Sequence, residues 1–249
     1  VAQFGSVLEW GSRGRKFDPP HSDQQKILSL CGRIFYFKSK ELFMEIYACE
    51  ISDLKVSVFS FGLDNYLKKT GFEFEKNQDY FDSDVLIFFS RTEDKAVSAM
   101  LGKIYEEGTT ASLRAAVYMT APEELHPLLD AQLLSSENLL GSALSDFLSL
   151  LDCYAYINSA DIGERLYGVG RLKYCPMGQA ASLSECEERA KEAISGAKSA
   201  VLLLKVPEDT WISDIDGFAA SLSERAENAD VFLAAQRHTG AIYASAFIK

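Results

Sequence analysis

Three short stretches hold the residues whose types and spacing could do chemistry. The first is Ser90-Arg91-Thr92-Glu93-Asp94-Lys95-Ala96, between an apolar run and a helical pattern. A helix starting there offers backbone N–H groups and a positive dipole end to an anion, with Arg91 and Lys95 beside it. The stretch has no glycine to let the backbone close on a phosphate, and Glu93 and Asp94 place negative charge at the same point. The plainer reading is that Thr92 caps the helix while Glu93 and Asp94 complement its dipole. The second stretch is Glu137-Asn138, at the start of a long helical pattern. Asn138 could hydrogen-bond a base edge, or the pair is ordinary first-turn chemistry after Ser135 or Ser136. The third is Ile157-Asn158-Ser159-Ala160-Asp161-Ile162. There the Asp161 carboxylate could orient a water, or cap the turn Ile162–Leu166.

Other chemistry finds little support. Cys31, Cys49, Cys153, Cys175 and Cys186 include no pair closer than eleven residues, so there is no CxxC motif, and most read as buried reduced thiols. His21, His126 and His238 have no partner at ligand spacing, and no metal site is expected. The GxSxG, GxxxxGK[ST], HExxH and EF-hand patterns are absent. A net charge of −11 disfavours non-specific nucleic-acid binding and electrostatic attachment to an anionic membrane. No apolar run is long enough to span a bilayer, so no direct membrane insertion is expected. With no basic-then-apolar leader in view, a cytoplasmic location is the expectation.

The elements that would position these stretches alternate between strand and helix. Lys26–Tyr36 is a strand candidate, Lys40–Ile51 reads as a helix, and Leu54–Phe61 alternates as a strand. Asp84–Ser90 is a continuous apolar run suited to a buried parallel strand. Glu93–Gly108 has helical spacing and a glycine stop. Leu113–Thr120 is a strand, and Glu123–Leu134 is a short helix or irregular link. Residues 137–153 carry a wide apolar stripe, through Leu140, Ala143, Leu144, Phe147, Leu148 and Leu151, and predict a long buried helix. Beyond it the order changes. Arg171–Met177 is a strand, Ser184–Ser195 a helix with Ser184 and Glu187 in capping-box spacing, and Ala200–Val206 a strand. Asp214–Ala226 is a helix, and Asp230–Ala235 and Ile242–Ile248 are two strands. Residues 1–25 contain Arg13, Arg15 and Lys16 among glycines and prolines. They read as an arm, either binding a partner or lying over the surface.

This order resembles the FtsZ/tubulin superfamily from about Asp84 to the end. The apolar strand DVLIFFS, the helix ending at Gly108, the strand LRAAVYMTAP, the long helix and the loop ending Ala160-Asp161-Ile162 follow the family's sequence of parts. So does MGQAAS at Met177–Ser182 ahead of Arg189-Ala190. The resemblance implies a GTP-binding fold whose central helix joins two domains and leads to an acidic loop serving the next subunit of a filament. It makes Asp161 the remaining catalytic carboxylate, with Asn158 at the family's other acidic position. It places Gly32 after the first strand, Thr92 in the phosphate loop, and Glu137 and Asn138 at the guanine site. The family's glycine-rich phosphate loop is missing at Ser90–Ala96.

The fold expected is α/β. A Rossmann-like, mostly parallel sheet domain spans 26–134 after the arm 1–25. A central helix follows at 135–153, then a smaller C-terminal α+β domain with its own mixed sheet at 154–249. The function expected is an FtsZ-like, cell-division-related or cytoskeletal protein that has lost GTP binding. It would act by self-association or on an FtsZ-like partner, as scaffold or filament regulator. No cofactor is expected, GTP being the one that an intact site would take. Two alternatives stay open: an active polymerising GTPase with an atypical phosphate loop, and a doubly wound small-molecule enzyme whose site lies near Ser90 and Thr120.

Overall fold

Alternating apolar and polar positions build the first hairpin. Met44–Ile51 (β1) turns through Ser52 and Asp53 into Leu54–Phe61 (β2), with Ile51 opposite Leu54 and Met44 opposite Phe61. Ser52 takes the left-handed conformation, φ 53°, that this two-residue turn demands. The helix expected over Lys40–Ile51 is therefore a strand across 44–51. Its Ile, Tyr and Cys residues suit a pleated surface, and the turn supplies a partner strand that local periodicity does not reveal. The structure, a computed structural model, describes residues 44–77, 79–120, 126–152, 170–225 and 230–249. The strand candidate Lys26–Tyr36 lies outside them.

After β2 come a short helix, Asp64–Leu67 (α1), and a two-residue strand, Glu75–Lys76 (β3). The chain then enters parallel crossovers. Val85–Thr92 (β4) leads to helix Lys95–Glu107 (α2) and strand Leu113–Thr120 (β5). Ala131–Leu134 (β6) follows where a helix or link was expected. Its four residues are too few to display a period, and their strand conformation is fixed by pairing with β5 on one side and β7 on the other. A 3-10 turn at Glu137–Leu139 opens the long helix Leu140–Leu151 (α3). The remaining elements are Gly170–Ala180 (β7), Leu183–Ala193 (α4), Ser199–Pro207 (β8), Ile212–Arg225 (α5), Asp230–His238 (β9) and Ile242–Ile248 (β10).

Among the described residues the strands form one mixed sheet of ten, in the order β3-β1-β2-β4-β5-β6-β7-β10-β8-β9. Pairing is parallel from β2 through β4, β5 and β6 to β7, and again between β8 and β9. It is antiparallel on either side of β10 and in the first hairpin. The separate C-terminal sheet expected from sequence is thus not found among the described residues. β7 is eleven residues long, so its first part pairs with β6 and the rest with β10, which joins the two halves edge to edge.

Side-chain alternation assigns the faces. Val85, Ile87 and Phe89 of β4 pack with α3, whereas Leu86 and Phe88 pack with Val97, Leu101 and Ile104 of α2. In the second half, Val201, Leu203 and Phe247 face α3, while Leu202, Leu204, Ala244 and Ala246 face α4 and α5. The helix α3 therefore packs on strands from both halves and is buried along most of its length, as its wide stripe predicts. Burying each of its Leu and Phe side chains contributes about 1.5–3 kcal/mol. At its start Gly141 lies against Tyr66 of α1, whose ring would meet an added Cβ at 3.5 Å, an ordinary van der Waals contact.

Candidate functional site

The segment that would have to hold a phosphate lies at the C-terminal edge of β4. The strand is buried through Ser90 and emerges at Arg91 and Thr92. Asp94 is the N-cap of α2: its backbone is extended, and its Oδ1 accepts from the Ala96 N–H at 2.8 Å and the Val97 N–H at 3.1 Å. The first N–H groups of a helix have no partner within it, and they are the groups an anion would take. Here a carboxylate already holds two of them. Thr92, expected as the cap, instead ends β4 in register with Thr120. The cap falls two residues later because the strand does not release the backbone until Thr92.

Glu93 turns back over the sheet, where its Oε2 accepts from Gln132 Nε2 at 3.0 Å. Beneath it, Tyr118 is fully buried and its hydroxyl has no partner; the Gln132 Oε1 is likewise buried and unpaired. Burial first, then the charges of Glu93 and Asp94, push the Tyr118 hydroxyl well above the usual tyrosine range. The local field is therefore negative. Each further unit of negative charge brought to about 4 Å of a carboxylate costs about 4 kcal/mol at an effective dielectric near 20. That opposes a triphosphate.

Arg91 reaches across to the start of the helical segment, its Nε 3.9 Å from Glu137 Oε1. Both side chains are 59% exposed, so this pair contributes little to stability. The Asn138 Oδ1 accepts from the Ser136 hydroxyl at 2.7 Å, which ties up the acceptor a base would meet. The structure thus brings Thr92, Glu137 and Asn138 to one edge of the sheet, with Arg91 bridging them. Gly32, Asn158 and Asp161 lie outside the described residues. The strand beside β4 is β2, and the glycine that follows it is Gly62, at φ +70° with open space around an added Cβ. Sequence reasoning passed over Gly62, though a glycine directly after an alternating strand was its signal.

A second cluster was also missed. Asp146 projects from α3 into the sheet, almost fully buried. Its Oδ2 accepts from the hydroxyls of Tyr174 at 2.5 Å and Tyr243 at 2.7 Å, and its Oδ1 lies 3.4 Å from the Lys205 ammonium. Burial first, then the Asp146 charge, raises both tyrosines above their usual range. One turn and a half further on, Asp152 accepts from Gln236 Nε2 at 2.8 Å and from Ser52 Oγ at 2.7 Å. These carboxylates tie α3 to β7, β8, β9 and β10 and to the first hairpin. The signal was an aspartate inside an apolar stripe. Among the described residues no group of His, Cys, Asp and Glu is arranged to hold a metal, and no helix is long and apolar enough to cross a membrane.

The sheet with helices on both faces, the parallel crossovers and the buried helix that packs on both halves make the fold FtsZ/tubulin-like. A mutant FtsZ from M. jannaschii aligns with a TM-score of 0.52 at 14% identity, over 68% of this chain and 66% of that one. An FtsZ dimer described as empty, also from M. jannaschii, aligns with a TM-score of 0.52 at 14% identity, over 68% and 64% of the two chains. The chain thus spans just under two thirds of the length of these relatives, and at such identity the likeness is one of fold. No protein-family model matches the sequence, and no curated protein matches it.

Proposed function

We propose that this chain is an FtsZ-like, cytoskeletal or cell-division-related protein of the cytoplasm that acts by self-association or on an FtsZ-like partner, as a scaffold or a filament regulator, without using GTP. The observation that supports it is the Asp94 cap. The donors a phosphate needs are taken by a carboxylate, Glu93 stands beside them, and no glycine lets the backbone approach. Fluorescent-GTP titration tests the reading. No binding tighter than about 10 μM, equivalent to about −7 kcal/mol, is expected. A tighter constant overturns it.

The match of Ala160-Asp161-Ile162 to the family's acidic loop favours a second reading, an active polymerising GTPase. In that reading Asp161 orients the attacking water for a neighbouring subunit, with Asn158 beside it. Thr92, Gly32, Glu137 and Asn138 would line the nucleotide. Phosphate release that rises with protein concentration and vanishes in Asp161→Ala would establish it. Phosphate release at background, with a lowered melting temperature in the same variant, would leave Asp161 as a helix cap.

A further inference from the structure

The loop between β8 and α5 exposes apolar surface that folding does not explain. Trp211 is 76% and Ile212 56% exposed, side by side, while Ile215 and Phe218 of the same helix turn into the core. The loop is held in place. Thr210 N–H donates to the Pro207 carbonyl at 3.1 Å, Asp214 N–H to the Trp211 carbonyl at 3.1 Å, and Arg237 Nη2 to the Thr210 carbonyl at 3.2 Å. The two side chains line an open groove of about 500 Å³ together with Glu208, Asp209 and Arg237, so the two exposed carboxylates leave it a negative excess over the one guanidinium. An exposed aromatic anchor on an ordered loop is a common centre of binding energy. The negative excess selects a cationic partner.

The sequence contains one stretch with three basic residues in four, Arg13, Arg15 and Lys16 in RGRK, bounded by Trp10 and Phe17 and with no acidic residue between them. In a chain of net charge −11 this is the segment whose chemistry complements the groove. We propose that the Glu208–Ser213 surface receives the segment Trp10–Phe17 of a second copy of this chain. The segment and the groove are different surfaces of the chain, so the contact is between unlike surfaces. Each copy carries one segment and one groove, so such contacts either close, by reciprocal exchange or as a ring, or continue into an open chain. The proposal rests on the reading of the protein as one that self-associates and names the contact that does it.

The test uses the full chain and full-chain variants of verified secondary structure. Sedimentation velocity over a range of protein and salt concentrations reads association. A fluorescein-labelled peptide of residues 8–19 added to the wild-type chain reads docking directly. Reversing the segment (Arg13→Glu, Arg15→Glu, Lys16→Glu) or the rim (Glu208→Lys, Asp209→Lys) is expected to weaken association at least about tenfold, and combining the two sets is expected to restore it. Trp211→Ser is expected to abolish peptide binding. Association that persists unchanged through the reversals overturns the proposed contact and leaves the self-association reading intact. A wild-type chain that stays monomeric while binding the peptide at the groove overturns the second copy as occupant and the self-association reading with it. Peptide that does not bind, or that binds Trp211→Ser equally well, overturns the site.

Discussion

Replacing Asp146 tests whether one buried carboxylate holds the central helix to the sheet. In Asp146→Ala the hydroxyls of Tyr174 and Tyr243 lose their acceptor and Lys205 loses its counter-charge. Breaking a buried ion pair from one side costs about 3–5 kcal/mol. Two features of the site reduce this. The tyrosine oxygens are 3.2 Å apart and can bond to each other, and Lys205, with its side chain 19% exposed, can reach water. The expected loss is therefore at the lower end, about 3 kcal/mol, or about 6–12 °C in melting temperature for a domain of this size. Asp146→Asn keeps an acceptor and loses the charge assistance, so it should cost roughly half as much. Urea denaturation of the wild type, Asp146→Ala, Tyr243→Phe and the double variant gives the coupling between the two groups, expected at about 1–2 kcal/mol. An Asp146→Ala variant within about 0.5 kcal/mol of the wild type, with an unchanged denaturant slope, would refute the reasoning.

Other outcomes follow from described contacts. Asp94→Ala should lower stability by about 0.5–2 kcal/mol, the range for a lost N-cap, measured by thermal or urea denaturation. Tyr118 and Tyr174 are held protonated in the folded chain, so their contribution is fully present below pH about 10, where the unfolded tyrosine ionises, and is lost as pH rises beyond it. Stability should fall by about 1.4 kcal/mol per pH unit for each of them above that point, followed by tyrosinate absorbance during unfolding. Burial pushes the Cys49 thiol up to about 12 and the Cys186 thiol up to about 11. Both should resist a thiol reagent in the native chain and react only on unfolding, as mass spectrometry of the labelled sites will show.

Much of the fold was legible because its signals are local. The apolar run at β4, the glycine stop after α2, and the stripe of α3 each lie within one element. What the sequence hid depends on partners distant in the chain. β1 mimics a helix until β2 folds back on it, and β6 is a strand because Ala115–Tyr118 and Gly170–Lys173 pair on its two sides. The joining of the two halves rests on the length of β7, which no periodicity announces. At α4 the spacing was recognised but placed late. Ser182 accepts from the Glu185 N–H at 3.2 Å, and Glu185 Oε2 accepts from the Ala181 N–H at 2.8 Å, so the reciprocal cap starts two residues before Ser184. At the candidate site the missing glycines and the acidic pair were readable. That Asp94 would take the helix N–H groups, and that Asp146 would gather two tyrosines and a lysine, required the third dimension.

The seam between β6 and β7 gives the molecule a mechanical character. Only four residue pairs, from Ala131–Gly170 to Leu134–Lys173, carry the ladder there, against eight in the first hairpin. Tension applied across the strands meets at this seam, as at the seam between β5 and β6, a ladder of four residue pairs, in parallel pairing that is slightly the weaker kind. The helix α3 straddles that seam on one face, with Asp146 fastened beyond it. It acts as a splint, so the two halves can flex about the seam only as far as the packing of α3 on both of them yields. A pull between the two halves would thus reach the helix before it parted the sheet.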